Sequence, residues 1–208
     1  MIYQYIKRFM DIAIGLTGLL ALFPLMVIIG LLIKISDGGR VVYSQIRIGR
    51  NREKFKIYKF RTMIENADDM LFRDKDLYQQ ARSGSHKIEN DPRVTGIGRF
   101  LRKYSLDEVP QFYNVLRGEM SFVGPRAYRP DELQKYESEN PEDQKFLRSL
   151  LSVKPGITGL WQINGRSTVS FEERVQMEAL YSQRISLMLD LLIILKTPIA
   201  VLKAKGAS

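Results

Sequence analysis

The longest uniform stretch of the chain is apolar: IAIGLTGLLALFPLMVIIGLLI, from Ile12 to Ile33, contains no ionisable side chain. At a helical rise of about 1.5 Å per residue it covers roughly 33 Å, enough to cross the hydrocarbon of a bilayer. It is too long for the apolar region of a signal peptide, and no small-x-small cleavage site closes it. Lys7 and Arg8 precede it, and Lys34, Arg40, Arg47, Arg50 and Arg52 follow. Both flanks are therefore basic, whereas a spanning helix needs only one basic flank, on the cytoplasmic side. Pro24 removes a backbone donor near the middle and disfavours helical geometry at Phe23, which predicts a bend there. A helix that bends and leaves by the face it entered would set both basic flanks on anionic headgroups. Spanning helices tolerate proline too, so re-entrant and spanning arrangements both fit this pattern.

Beyond the apolar run the period shortens. RVVYSQIRIG and KFKIYKFRTM are β-branched and aromatic, separated by Gly49-Arg50-Asn51-Arg52, and predict a β-hairpin. Glu65 to Arg82 reads as one polar helix, and DPRVTGIGRFLRKY as a turn at Asp91-Pro92 followed by a short amphipathic helix. A further helix ends near Arg117-Gly118, MSFVGPR is extended into a Gly-Pro turn, and another helix starts at Asp131. KPGITGLWQINGR is rich in glycine with extended apolar pieces, and Phe171 to Tyr181 is helical. The final ISLMLDLLIILKTPIAVLKAK is an apolar helix interrupted by Pro198. Packing in a core and lying on a lipid surface, with Lys196, Lys203 and Lys205 at its edge, both suit it. Asp190 within it reads as a paired structural carboxylate. There is no internal repeat and no low-complexity linker. The pattern predicts an α-rich α/β domain, small and membrane-associated: residues 1–36 an N-terminal membrane helix, and residues 37–208 a cytosolic domain with a β-hairpin, amphipathic interfacial helices and a C-terminal interfacial helix.

Composition narrows the chemistry. The 208 residues carry a net charge of +9, which favours anionic partners such as phosphorylated metabolites, acidic lipid or nucleic acid. There is no cysteine and only one histidine, His86, so thiolate catalysis, cysteine-bound zinc and multi-histidine metal sites are excluded. Carboxylates, hydroxyls, arginines and lysines remain, with an oxygen-liganded metal, a set suited to phosphate chemistry. The basic run Arg47, Arg50, Arg52, Lys54, Lys56, Lys59 and Arg61 would ordinarily be a solvated face. Its place beside the membrane segment accounts for it through lipid, and no helix-turn-helix or RNA-binding signature accompanies it, so nucleic acid is not an expected partner.

The best candidate for chemistry is RKYSLDEVPQFYNVLRGEMSFVGPR, with Asp107 and Glu108 adjacent among cations. Ser105 and Glu108 have the spacing of a capping box, which needs no function. With Asp107 as the cap instead, Pro110 falls in the first helical turn, where no donor is missed. Either way the two carboxylates sit at a helix N-terminus, an environment that keeps them ionised and attracts phosphate. Arg99, Arg102 and Lys103 lie upstream and Arg126 downstream. An ionised carboxylate in such a place can attack phosphorus while its neighbour helps bind Mg²⁺.

In this order, KRFMDI, the apolar helix, YKFRTM, DPRVTGIGRFLRKYSLDEVPQFYNVLRGEMSFVGPR and KPGITGLWQINGR resemble the bacterial sugar transferases, the monotopic phosphoglycosyl transferases that start glycan assembly. The resemblance runs from about Tyr5 to Lys205 and corresponds to the minimal catalytic unit. It implies transfer of a sugar-1-phosphate from a UDP-sugar to a polyprenyl phosphate such as undecaprenyl phosphate, with Mg²⁺, through a phosphosugar bound covalently to the protein. It implies that Asp107 is the nucleophile and a Mg²⁺ ligand, with Glu108 its partner. Lys59, Arg102, Arg126 and Arg166 match the family's substrate-binding cations. It also implies a re-entrant helix broken at Phe23-Pro24 and an active site on the cytosolic face of the bacterial inner membrane, in contact with lipid. A homo-oligomer is compatible with it. Two positions depart from the family pattern: Phe23 replaces a serine at the membrane break, and Ala127 replaces the second proline of Gly-Pro-Arg-Pro. A non-catalytic basic adaptor for glycan-assembly enzymes is the alternative of a different class.

Overall fold

The computed structural model describes residues 2–82, 88, 91–165 and 169–202. The chain is helix-rich. The first helix, α1 (Ile2–Asp37), starts ten residues before the apolar run and continues as one helical segment through Phe23 and Pro24. The hairpin follows as β1 (Val42–Ile48) and β2 (Lys54–Phe60), antiparallel with Val42 opposite Phe60 and Ile48 opposite Lys54. Its turn is a 3₁₀ segment, Arg50–Arg52, in which Asn51 and Arg52 have positive φ.

The polar helix expected over Glu65 to Arg82 is two helices, α2 (Ala67–Arg73) and α3 (Lys75–Arg82). Asp74 divides them: its carboxylate Oδ1 accepts the backbone N–H groups of Asp76 and Leu77, each at 3.0 Å, and so restarts the helix. Next come α4 (Gly96–Lys103), α5 (Gln111–Arg117), the short strand β3 (Ser121–Val123) and α6 (Pro130–Glu139). Thr95 caps α4 and Gly118, at φ 79°, ends α5 in the left-handed conformation that glycine adopts without strain. The pattern reading left out α7 (Gln144–Leu150), which buries Leu147 and Leu150. The glycine-rich segment forms β4 (Gly156–Thr158), parallel to β3, and a single helical turn, α8 (Leu160–Ile163). α9 (Phe171–Gln183) opens on a capping box between Ser170 and Glu173, and α10 (Leu187–Leu202) continues through Pro198. The described strands form only these two-stranded pairs, so no layered α/β sheet organises the fold; helix packing does.

α1 is fastened to the rest of the chain along its whole length. Near its start, Arg8 donates to the carbonyls of Val115 and Leu116 at the end of α5, at 2.7 and 2.8 Å. Val115 O also accepts the Gly118 N–H at 3.0 Å, so Arg8 adds donors at a helix C-terminus whose last carbonyls lack full intrahelical pairing. Lys7 bonds Asp190 of α10 at 2.8 Å and the Val123 carbonyl at 3.0 Å; Asp190 also accepts from Tyr3 and Tyr181. Asp190 is thus the paired structural carboxylate that was expected. Asp11 takes the Ser121 hydroxyl and the Phe122 N–H. In the second half Ile29 and Ile33 bury against Phe60, Leu101 and Val109, each contributing about 1.5–3 kcal/mol through the hydrophobic effect. At the far end Asp37 pairs with Arg61.

The remaining faces of α1 and one face of α10 are exposed and apolar. Leu20, Phe23, Leu31 and Ile35 on α1, and Met188, Leu195 and Leu202 on α10, are uncovered, while Asp190 and Ile193 on the other face of α10 are buried. The core reading of the last helix therefore holds for one face, while its other face is exposed and apolar; Lys203 and Lys205 lie outside the described residues.

Candidate active site

Asp107 and Glu108 occupy a corner. α4 ends at Lys103, and Ser105 at φ 55° and ψ 24° turns the chain into a 3₁₀ segment, Leu106–Glu108, that leads into α5. The capping box suggested by Ser105 and Glu108 does not form, because the Glu108 carboxylate reaches Lys59 instead of turning back to Ser105. Nor is Asp107 a cap of α5: Pro110 precedes its first residue, and the carboxylates lie one turn upstream. Sequence separation hides the reason for the corner. Asn114 of α5 clamps the β2 edge, accepting the Tyr58 N–H at 3.2 Å and donating to the Lys56 carbonyl at 2.7 Å. This fixes Lys59, the next residue on that strand, beside the carboxylates.

Lys59 Nζ lies 2.5 Å from Glu108 Oε1 and 3.7 Å from Asp107 Oδ2. Arg102, projecting from α4, donates through Nε to the Thr62 hydroxyl at 2.9 Å and is close enough to Asp107 to stabilise its charge. α4 approaches the chain after β2 so closely that a Cβ on Gly98 would sit 2.0 Å from the Thr62 carbonyl oxygen; only glycine fits. The YKFRTM and RKYSLDE motifs are thus brought to one point.

The two carboxylates differ in environment. Burial pushes Asp107 up to about 6; the charge of Lys59 opposes this rise and the charge of Glu108 adds to it. Glu108 is also pushed up by burial, but the charge and hydrogen bond of Lys59, with Arg126 behind them, carry it below the usual carboxylate range. Two carboxylates sharing one cation titrate as a pair, and here Glu108 holds its charge first. Asp107 keeps its negative charge near neutral pH, has no direct hydrogen bond to a cation among the described residues, and is made more basic by burial.

Arg126 reaches the same region from the β3–α6 turn. Its backbone N–H donates to Glu178 Oε1 at 2.7 Å, and its guanidinium lies 5.6 Å from the centre of the Trp161 ring. The turn is held by Gly124 N–H to the Thr158 carbonyl and Gly156 N–H to the Pro125 carbonyl. Ala127 stands where the family pattern has proline, and its carbonyl accepts Arg47 Nη1 at 3.1 Å. Arg166, the remaining sequence-derived cation, lies outside the described residues, as does His86. Four residues near this site were not picked out as site residues: Arg47, Trp161, Arg174 and Glu178. Arg47 had stood in the basic run as a surface charge; in the fold both it and Arg61 are buried.

Among the described residues no cluster of three or more acidic or histidine side chains could enclose a metal. The Asp107–Glu108 pair nevertheless presents hard oxygen donors, and the ammonium of Lys59 already lies within 4.0 Å of both. That donor set suits a cation that takes its other ligands from phosphate and water, as Mg²⁺ does.

A family model described as bacterial sugar transferase matches residues 2–204. An exopolysaccharide production protein, ExoY, of Sinorhizobium fredii is 45% identical over 97% of this chain and 87% of its own length. Undecaprenyl-phosphate galactose phosphotransferase of Salmonella typhimurium is 38% identical over 98% of this chain and 42% of its own length. UDP-glucose:undecaprenyl-phosphate glucose-1-phosphate transferase of Klebsiella pneumoniae is 37% identical over 92% of this chain and 39% of its own length.

Proposed function

Because the chain belongs to the bacterial sugar transferase family, we propose that it transfers a sugar-1-phosphate from a UDP-sugar to undecaprenyl phosphate or a similar polyprenyl phosphate, in exopolysaccharide assembly. The observation that carries this reading is the carboxylate pair on Lys59, with Asp107 buried yet, among the described residues, without a direct hydrogen bond to a cation. In the first step an Asp107 oxygen attacks the phosphorus bearing the sugar. The Asp107–phosphorus bond forms, the bond to the bridging oxygen breaks, and UMP leaves with that oxygen. In the second step a phosphate oxygen of the lipid attacks the same phosphorus, forming the lipid diphosphate sugar and releasing the Asp107 carboxylate. Splitting the transfer in this way means donor and acceptor need not be bound together.

Lys59 and Arg102 set the charge of Asp107, and Arg126 lies on the Glu108 side, where it meets the phosphates of the donor. Mg²⁺, held by Asp107 and by substrate oxygens, would supply neutralisation of the diphosphate charge. The attachments of α1 support a re-entrant anchor. Arg8 near its start and Asp37 at its end both bind the same body of the protein, which a helix with its ends on opposite sides of a bilayer could not easily do. The exposed apolar faces of α1 and α10 then meet lipid, and the acceptor's phosphate reaches the site from the membrane surface. Relatives named for galactose and for glucose leave the sugar open.

The test is a panel of UDP-sugars assayed for UMP release, with the full chain in nanodiscs, Mg²⁺ and undecaprenyl phosphate. One or a few donors should give UMP, and Asp107→Asn should give none. Release of UMP from no donor, or undiminished release by Asp107→Asn, would refute the proposal.

A further inference from the structure

Two arginines share one indole. The Arg174 guanidinium carbon, on α9, lies 4.4 Å from the centre of the Trp161 ring, and that of Arg126 lies 5.6 Å from the same centre. The two positive charges are therefore within about 10 Å of each other, close enough to repel through a partly buried medium. A cation on an aromatic face is favourable singly; two beside one ring call for a counter-charge. Glu178, Glu132 and Glu108 act on these charges from a distance, and none meets either guanidinium directly. Among the described residues neither guanidinium has a carboxylate within 4.0 Å, and the buried Nε of each has no hydrogen-bond partner.

The surrounding carboxylates are occupied. Glu178 gives one oxygen to the backbone N–H of Arg126 and the other to the Tyr128 hydroxyl. Glu132 serves both Arg47, at 3.6 Å, and Arg129, at 3.4 Å, and Glu108 holds Lys59. Arg47 itself, only 9% exposed, also keeps a buried Nε without a partner. Burial, and then the charge of Arg126, lower the pKa of both Arg174 and Arg47. Cations held at such a cost beside a phosphate-transfer site imply an anion that arrives with the substrate.

We infer that Arg174, with Trp161 as its support, is a binding residue for the diphosphate of the nucleotide donor, acting beside Arg126; this rests on the transferase reading above. The donor is favoured over the lipid phosphate because its two linked phosphates can meet the two guanidiniums at once, whereas the lipid offers a single phosphate.

The test uses the full chain in nanodiscs. Arg174→Gln should weaken UDP binding in calorimetry and raise the KM for the UDP-sugar by about 10–100-fold, the loss expected for one charge-assisted hydrogen bond. The KM for undecaprenyl phosphate should stay within about twofold, and Arg174→Lys should recover part of the donor affinity. An unchanged donor KM, or a rise confined to the lipid acceptor, overturns the inference. Should Arg174→Gln not fold, phenylglyoxal labelling of the wild-type protein replaces it. UDP should protect Arg174 from modification, and equal labelling with and without UDP overturns the inference. If wild-type protein neither binds UDP nor releases UMP, the transferase reading falls and takes this one with it. If it does both while Arg174→Gln is indifferent, only the role of Arg174 falls.

Discussion

Replacing Asp107 with asparagine should stabilise the protein while abolishing its activity. Burial raises the Asp107 pKa from 3.8 to about 6, so the folded state holds this proton more tightly than the unfolded chain does. The sign follows from that difference. Ionisation of Asp107 opposes folding, and the penalty is absent below about pH 4, grows as pH rises from there to about 6, and is complete above. At about 1.4 kcal/mol per tenfold change, the full penalty is at most about 3 kcal/mol; because Glu108 and Lys59 share the titration, about 1.5–3 kcal/mol is the range expected for Asp107 itself. For a chain of 208 residues this corresponds to a rise in Tm of about 3–12 °C. Thermal unfolding of both proteins in nanodiscs, followed through the single tryptophan, Trp161, would measure it. The buffer must be free of Mg²⁺, since a bound cation favours the ionised form. The gap should be full at pH 7.5 and fall to about a third of that at pH 4.5. A variant less stable than wild type at pH 7.5, or a gap that does not change with pH, would refute the assignment of a buried, charge-strained carboxylate at the corner.

Lys59→Met removes the cation that holds both carboxylates ionised, so the acid limb of kcat/KM should move to higher pH; an unmoved limb would show that Lys59 does not set the charge of Asp107. Asp190→Asn leaves Lys7 without the carboxylate it meets at 2.8 Å and should cost about 3–5 kcal/mol by breaking a largely buried pair. Combining it with Lys7→Met should recover part of that loss, and denaturant titration of the two single variants and the double one measures the coupling.

The chain order of the elements was legible where one local rule decides it. β-branched and aromatic runs around a turn gave the hairpin, Gly118 gave the end of α5, and the helix expected over Phe171 to Tyr181 is α9. Asp107, Glu108, Lys59, Arg102 and Arg126 were legible through their motifs. Their convergence was not, because it depends on Asn114 bridging to β2 and on Gly98 meeting Thr62, contacts between distant residues. The same cause hid Arg47, which alternation assigns to a surface strand but the fold covers with the turn at Ala127, and Arg174, which is unremarkable on its helix until Trp161 is placed under it. α7 escaped notice because seven residues after Pro141 give too little periodicity. The Ser105–Glu108 capping box misled for the opposite reason: the local signal was sound, but a nearby lysine offers Glu108 a stronger partner.

The central claim is that the Asp107 oxygen becomes bonded to the phosphorus carrying the sugar. Nanodisc-embedded protein incubated with Mg²⁺ and an accepted UDP-sugar, quenched before lipid acceptor is added and mapped by peptide mass spectrometry, tests it directly. The account predicts a sugar-phosphate mass increment on the peptide containing Asp107, lost when undecaprenyl phosphate is supplied. An increment on any other residue, or none while UMP is being released, would contradict it.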